Sequence, residues 1–404
     1  MNQVTAHTRS SVQLEIIVVG AGLSGLATAV AAALSGHKVT VFESAKELLE
    51  VGAGLQVTPN STRILQKWGL PDRLWKSASE PNTLVVHRYS GSVLAKEENF
   101  NKNIRAKYQA PFIDLHRVDL QLSLYERAKE LGVRFALGEK VDSIDFDLPE
   151  LTTQSGVKAR ADLIVAADGL CDPELKAWIE NPQVHFWVGP GTHCVGYSMR
   201  AEKMYNLVVL APDDLPTGVS RQAGDVDELR QRFEGWDPIL RKFLDAVDSV
   251  EKWKLMHREE MASWVSDKSN FVFVGDACHP MLPYLAQGAN SAVEDGAVLG
   301  LLLGHLTSKS QLPTALRLYE KLRKARGEAI VRETFKQRHD FHMPDGPEQE
   351  ARDKIFLSQL GKELKGPFPS RWTCPEVQPW LYGYDAYKEV EEVMKSDPFS
   401  RANL

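Results

Sequence analysis

Residues Leu14–Val19 (LEIIVV) form a short, unbroken apolar run that ends in glycines, the pattern of a parallel strand buried on both faces. The alanine-rich stretch from Leu23 to Ser35 then reads as a helix stopped by Gly36. His37–Phe42 (HKVTVF) reads as a second strand that delivers Glu43 at its end, completing a βαβ unit. Pro59 to Trp68 predicts a further helix closed by Gly69. Between about Pro81 and Pro111 the helical period is lost. TLVVHRYS and GSVLAKEE alternate there as sheet strands do, which predicts a layer of antiparallel structure. Helix returns at Arg117–Gly132, followed by strands at Val133–Leu137 and Ala161–Ala167. From Gln183 to about Val265, strand-like HFWVG, HCVGYSM and YNLVVLA precede helical DELRQRFEGW and PILRKFLDAV. Phe271–Val274 is a last buried strand. It leads to a helix beginning near Gly288 and a long charged helical stretch from Pro313 to about His342.

The pattern predicts an α/β nucleotide-binding domain that is discontinuous in sequence, over residues 1–80, 112–182 and 266–345. A mainly β-sheet domain (81–111 and 183–265) is inserted between its strands. Residues 346–404 are polar, with several prolines and aromatics, and are expected to wrap the surface. At 404 residues with 43% hydrophobic and 25% charged content, the chain is long enough to bury a core without metals or crosslinks. A net charge of −6 argues against a nucleic-acid partner, which would need a basic face. The cysteines at 171, 194, 278 and 374 are scattered, so neither a metal site nor a disulfide framework is expected. The polar first thirteen residues lack the apolar centre of a signal peptide, and no apolar stretch is long enough to span a membrane. A cytoplasmic protein is expected.

Gly20-Ala21-Gly22-Leu23-Ser24-Gly25 lies between a strand and a helix. The first glycine makes the tight turn, the second admits a pyrophosphate close to the backbone, and the third lets helix and strand touch. Glu43 follows Gly25 at the distance where an acid accepts bonds from ribose hydroxyls. A glycine turn kept for packing alone is the plainer alternative, but strand, helix and acid are all in place for a dinucleotide. At the far end of the chain, the FVFV strand runs into Gly275-Asp276-Ala277-Cys278-His279-Pro280, and a helix opens at Gln287-Gly288-Ala289-Asn290. Asp276 stands where open α/β sheets bind cofactors, suited to a ribityl chain. The helix start would direct its amides at a flavin's pyrimidine edge, which becomes anionic on reduction.

These residues resemble the class A FAD-dependent aromatic hydroxylases, in particular the salicylate-hydroxylase-like branch common in fungal secondary metabolism. The likeness is carried by GAGLSGLATAVAAALSGHKVTVFE, EVGAGLQVTPNSTRILQKWGL, LHRVDLQ, LIVAADG, FVFVGDACHPMLPYLAQGANSAVEDGAVL and the C-terminal RW…WLYGYDA, which together span nearly the whole chain. The resemblance implies a Rossmann-like domain binding FAD on Gly20, Gly22 and Gly25, with Glu43 on the adenosine ribose. It also implies Ala53 or Gly54 beside the cofactor, Arg117 reaching it, Asp168 of the Asp-Gly motif near it, and Asp276 and Ala289 at the flavin end. The implied reaction uses NAD(P)H and O2 to hydroxylate a phenolic or similar aromatic small molecule through a flavin C4a-hydroperoxide. In several members an arginine and a tyrosine hold the phenolate, and the tyrosine matches Tyr197 in HCVGYSMR.

After Gly169 the chain departs from the family. The usual serine and arginine are replaced by Leu170-Cys171-Asp172-Pro173. A few tens of residues are missing against the family pattern, including the strand expected to carry the arginine. A catalytically impaired flavin-binding paralogue is therefore a second reading. A third class, the flavin halogenases, usually carries a W-x-W-x-I-P motif, and no two tryptophans here are separated by one residue. His279, Cys278 and Trp187 are expected to be packing residues, although Trp187 also suits the substrate pocket. The charged run LRLYEKLRKARGEAIVRETFKQRHD is expected to be a solvated helix face.

Overall fold

A computed structural model describes residues 9–48, 54–145, 147–166, 183–199, 204–245, 247 and 250–399. Its centre is a five-stranded parallel sheet in the order Phe271–Phe273, Leu163–Ala166, Glu15–Val19, Lys38–Glu43, Arg134–Leu137. Alternation along the first strand explains its unbroken apolar sequence. Ile16 and Val18 face the helices Leu23–Leu34 and Gly288–Gly304, whereas Ile17 joins Leu151, Ile164 and Phe271 under a small antiparallel sheet. That small sheet (Val141–Asp145, Glu150–Thr153, Lys158–Arg160) has polar strands whose pairing the sequence did not announce.

The two helices touch backbone to backbone because both are rich in small residues. A Cβ on Gly296 would stand 2.9 Å from the Thr28 amide nitrogen, and one on Gly300 would stand 2.6 Å from the Ala31 Cβ. The close crossing fixes the start of each helix relative to the other. Gly300→Val is accordingly expected to destabilise the fold by about 2–3 kcal/mol, measured by urea unfolding. An unchanged midpoint would contradict this contact.

The second sheet has the order Met204–Leu210, Thr192–Met199, Gln183–Gly189, Thr83–Arg88, Val93–Glu98. Its neighbours are antiparallel except Gln183–Gly189 against Thr83–Arg88, so the expected antiparallel layer is mixed. The region 81–111 also contains a helix, Phe100–Tyr108, where helical period was read as lost. Its buried residues Phe100, Ile104 and Tyr108 recur at helical spacing, but the stretch holds only two and a half turns among polar residues, too few to stand out. Helices Val226–Arg232 and Pro238–Asp245 appear where DELRQRFEGW and PILRKFLDAV predicted them, over the sheet's outer face.

Two expectations are corrected by burial. The segment after Gly346 is more than a surface wrap: Phe356, Phe368, Trp372, Leu381 and Tyr382 fill the core under the second sheet's inner face. The charged helix Leu312–Phe341 is not wholly solvated either. Arg323 and Arg326 are buried, because Glu294 and Asp295 on the Gly288–Gly304 helix pair with them. No helix among the described residues is long and apolar enough to cross a membrane.

Candidate active site

Strand Glu15–Val19 ends at Gly20, whose φ of +99° only glycine adopts comfortably. Gly22 then caps helix Leu23–Leu34 in extended conformation, with no side chain bonded to the first-turn amides. That helix end is open to an anion. Glu43 stands beside it and holds the loop, accepting from the Ala21 amide at 2.7 Å and from the Ala45 amide at 2.8 Å.

These residues form one end of a cavity of about 820 Å³. Of the candidates read from the sequence, Gly20, Gly22, Glu43, Gly54, Arg117, Tyr197, Asp276 and Ala289 all line it. Gly25 is buried within its helix, in keeping with a packing glycine. Ala53 and Asp168 lie outside the described residues, as does the departure after Gly169.

Asp276 sits on a 3-10 turn, Gly275–Ala277, that follows the last parallel strand. Gly275 has φ +61°, and a Cβ there would meet the Ser24 Cβ at 2.9 Å. The Asp276 turn is thus packed directly against the helix start that follows the glycine loop, which fixes Asp276 relative to it. Behind the turn, Asp295 accepts from the Gly275 amide at 2.9 Å, His279 Nε2 at 2.5 Å and Arg323 Nε at 2.7 Å. Burial alone would raise the Asp295 carboxyl, but His279 and Arg323 hold it well below the usual carboxylate range. His279 is wholly enclosed and bound to Asp295, so it supports the loop instead of facing the cavity, as the sequence reading favoured. Ligand atoms of Cys278, His279 and Asp295 lie within 4.8 Å of one another. With the Arg323 guanidinium already on Asp295, this is an ion-pair cluster and not a cation site. Burial raises the Asp276 carboxyl, with His279 and Arg117 opposing the shift.

The other end of the cavity lies under the second sheet. Period-two alternation on strand Thr192–Met199 turns His193, Val195 and Tyr197 toward it and Cys194 away. Phe186, Tyr284 and Trp372 complete aromatic walls, with Trp372 Nε1 donating to the Tyr284 carbonyl at 3.0 Å. Trp187 is absent from the lining; it points to the outer face and donates to Asp237 at 2.8 Å. Sequence reasoning missed His193, Tyr284 and Trp372. The alternation through Tyr197 would have found His193, whereas the other two reach the site only by tertiary packing.

His193 Nδ1 lies 2.7 Å from His342 Nε2. Burial lowers the affinity of both rings for protons, His193 well below 6.5 and His342 to about 4, the latter with help from Arg338. Burial and its neighbour His87 likewise lower His185 to about 4. The unfolded chain therefore binds protons at higher pH than the folded one. The contribution of these three rings to stability is expected to be full above about 6.5 and to fall as pH drops toward about 4, as urea midpoints across that window would show.

A family model described as "FAD binding domain" matches residues 13–173 and 170–334. The chain is 46% identical to the FAD-dependent monooxygenase OpS4 of Beauveria bassiana (strain ARSEF 2860), covering 92% of this chain and 95% of that protein. That comparison runs over 409 residues although only 92% of this chain enters it, so the Beauveria protein has residues without a counterpart here. It is 30% identical to the 3-amino-4-hydroxybenzoate 2-monooxygenase PtnB3 of Streptomyces platensis, covering 92% of this chain and 96% of that protein. Among solved structures, a salicylate hydroxylase substrate complex superposes with a TM-score of 0.73 at 19% identity, covering 94% of this chain and 97% of the other. At that identity the likeness speaks to the fold.

Proposed function

This chain belongs to the FAD-dependent aromatic monooxygenases of the FAD-binding-domain family, and from that membership we propose that it hydroxylates a phenolic small molecule in secondary metabolism. Its cofactor is FAD and its reductant NAD(P)H. The observation that carries the phenolic reading is a single cavity with two unlike ends. One end has the open helix start and Asp276; the other has Phe186, Tyr284 and Trp372 around Tyr197 and His193. The residues present fit the cofactor, since the uncapped start of helix Leu23–Leu34 opens on the same cavity that Glu43, Arg117, Asp276 and Ala289 line.

When bound and reduced, the flavin activates O2 for transfer to an electron-rich ring. The protein's part is to bind, orient and keep water out. The amides at the start of helix Leu23–Leu34 would hold the pyrophosphate, Glu43 a ribose and Asp276 the ribityl chain. The Gly288–Gly304 helix starts at Gly288 and Ala289, where its positive end would favour a reduced flavin. Arg117 would reach the cofactor from the start of helix Arg117–Glu130. Tyr197 would hold the substrate hydroxyl, while the apolar walls exclude water.

The shortened sequence relative to the Beauveria protein favours the second reading, an impaired flavin-binding paralogue. Titrating the FAD-loaded protein with hydroxybenzoates separates the two. The enzymatic reading predicts a perturbed flavin spectrum and NAD(P)H oxidation stimulated by about 10-fold or more. Tightly held flavin that responds to no phenol would favour the impaired protein.

A further inference from the structure

Building on the phenolic-substrate reading, we propose that the Gln56 side-chain carbonyl accepts from a second donor on the substrate ring, a hydroxyl or amino group additional to the hydroxyl at Tyr197, and that buried Asp114 fixes the amide in that orientation. Gln56 lines the cavity and lies opposite Asp114 on the antiparallel pair Gly54–Val57 and Ile113–His116. Val57, Ile113 and Leu115 belong to the main core, so alternation turns Gln56 and Asp114 to the opposite face. Strand Ile113–His116 also packs against Thr192–Met199, the strand that carries Tyr197. The Gln56 backbone carbonyl accepts from Asn290 Nδ2 at 2.9 Å, next to Ala289 at the flavin end. Gln56 thus stands between the aromatic end of the cavity and the cofactor end, where a ring must lie to receive oxygen.

A side-chain amide has a donor end and an acceptor end. The donor end of Gln56 is spent: Nε2 donates to Asp114 Oδ1 at 3.0 Å. Among the described residues no donor reaches its Oε1. Neighbouring buried amides differ in this respect. Asn290 Oδ1 accepts from the Thr58 amide at 3.0 Å, while its Nδ2 donates to the Gln56 and Ala286 carbonyls. Asn60 Nδ2 donates to Glu294 at 2.6 Å, and its Oδ1 accepts from Thr58 Oγ1 at 2.5 Å. Those two amides spend both ends on the protein, whereas Gln56 keeps its carbonyl for a ligand.

Asp114 is fully enclosed, and its backbone is fastened by bonds of 2.8 Å exchanged in both directions with Ser79. Its Oδ2 has no partner among the described residues. Burial pushes the carboxyl well above the ordinary carboxylate range, with the Gln56 bond opposing the shift. Oδ1 is an acceptor whether the group is ionised or carries its proton on Oδ2, so it holds the Gln56 NH2 in either state. Turning the amide over would set its carbonyl oxygen against Oδ1, two acceptors face to face. Asp114 touches no ligand itself; it is a positioning residue that acts through Gln56. A bound ring that offers a donor satisfies Oε1. A ring that offers an ether, or nothing, leaves that oxygen unpaired in a site closed to water, which makes the contact selective.

The test titrates the full-length, FAD-loaded protein with catechol, resorcinol and hydroquinone and with their monomethyl ethers, following the flavin absorbance. Every compound keeps one hydroxyl for Tyr197, and the members of a pair differ only in the second. The dihydroxybenzene whose second hydroxyl reaches Gln56 is expected to bind about 10-fold more tightly than its ether. Gln56→Met and Asp114→Leu should both abolish this preference, whereas Asp114→Asn, whose carbonyl can still accept from Gln56 Nε2, should keep it within about 2-fold. Asp114→Leu removes a buried polar group at similar volume and is not expected to lower the urea midpoint, so a lost preference is not a lost fold. Gln56→Met leaves the buried carboxyl in place and decides the acceptor role by itself. Equal binding within all three wild-type pairs, or a preference that survives Gln56→Met, would overturn that role. A preference lost in Gln56→Met but intact in Asp114→Leu would overturn the part given to Asp114. Ligands bound with the expected preference but never hydroxylated would keep this inference and contradict the hydroxylase reading, so the two fail separately.

Discussion

Asp295→Ala is expected to cost about 3–5 kcal/mol of stability and to release the flavin, because it breaks a buried ion pair from one side. Asp295 is fully enclosed and bonded to the Gly275 amide, His279 and Arg323. Without it, the Arg323 guanidinium keeps, among the described residues, only Glu294 as a carboxylate partner, and Glu294 already serves Arg326. The Gly275 amide loses its acceptor, and the turn presenting Asp276 loses its anchor. Asp295→Asn should fall between, since an amide can still accept from the turn but cannot balance Arg323. Urea unfolding and the visible absorbance of the purified variants would check both effects. An Asp295→Ala protein with wild-type flavin content would contradict the assignment of this cluster as the support of the cofactor turn.

The second large effect is expected from Gly275→Val. Its φ of +61° is a conformation that β-branched residues rarely adopt. The added Cβ would also lie 2.9 Å from the Cβ of Ser24 and 3.4 Å from that of Ala292. Valine must therefore push the Asp276 turn away from the glycine loop, and the two ends of the cofactor would no longer fit one cradle. The loss of flavin affinity is expected to reach about 100-fold or more, equivalent to about 3 kcal/mol, measured by fluorescence titration of the apoprotein. Gly300→Val, which acts on the crossing of the same two helices from further away, should reduce stability with a smaller effect on flavin affinity.

The parts of this molecule most readable in the sequence are those where a local pattern and a local function coincide. LEIIVV followed by GAGLSG identifies strand, turn and helix because each step constrains a few adjacent residues, and the parallel sheet forms as expected. FVFVGDACHP places Asp276 for the same reason. Legibility fails where partners are distant in sequence. Arg323 and Arg326 look like solvated charges in a helix rich in lysine and arginine. Their acidic partners sit about one helix away, in a stretch otherwise read as apolar. His193 and His342 are 149 residues apart, so no spacing rule could join them. Trp372 reaches the cavity only because the C-terminal segment is fastened inward, with Arg326 donating to the Trp380 and Leu381 carbonyls and Gln378 to that of Trp372. The helix Phe100–Tyr108 failed for a different reason, being too short for its period to rise above its polar residues.

The most direct test of the account is to incubate the FAD-loaded protein with NAD(P)H, a panel of hydroxybenzoates and isotopically labelled 18O2, and to weigh the products. The account predicts a hydroxylated ring carrying one 18O atom, with one NAD(P)H consumed for each product formed. A protein that keeps its flavin yet delivers no labelled oxygen to any phenol, returning only hydrogen peroxide or nothing, would contradict it.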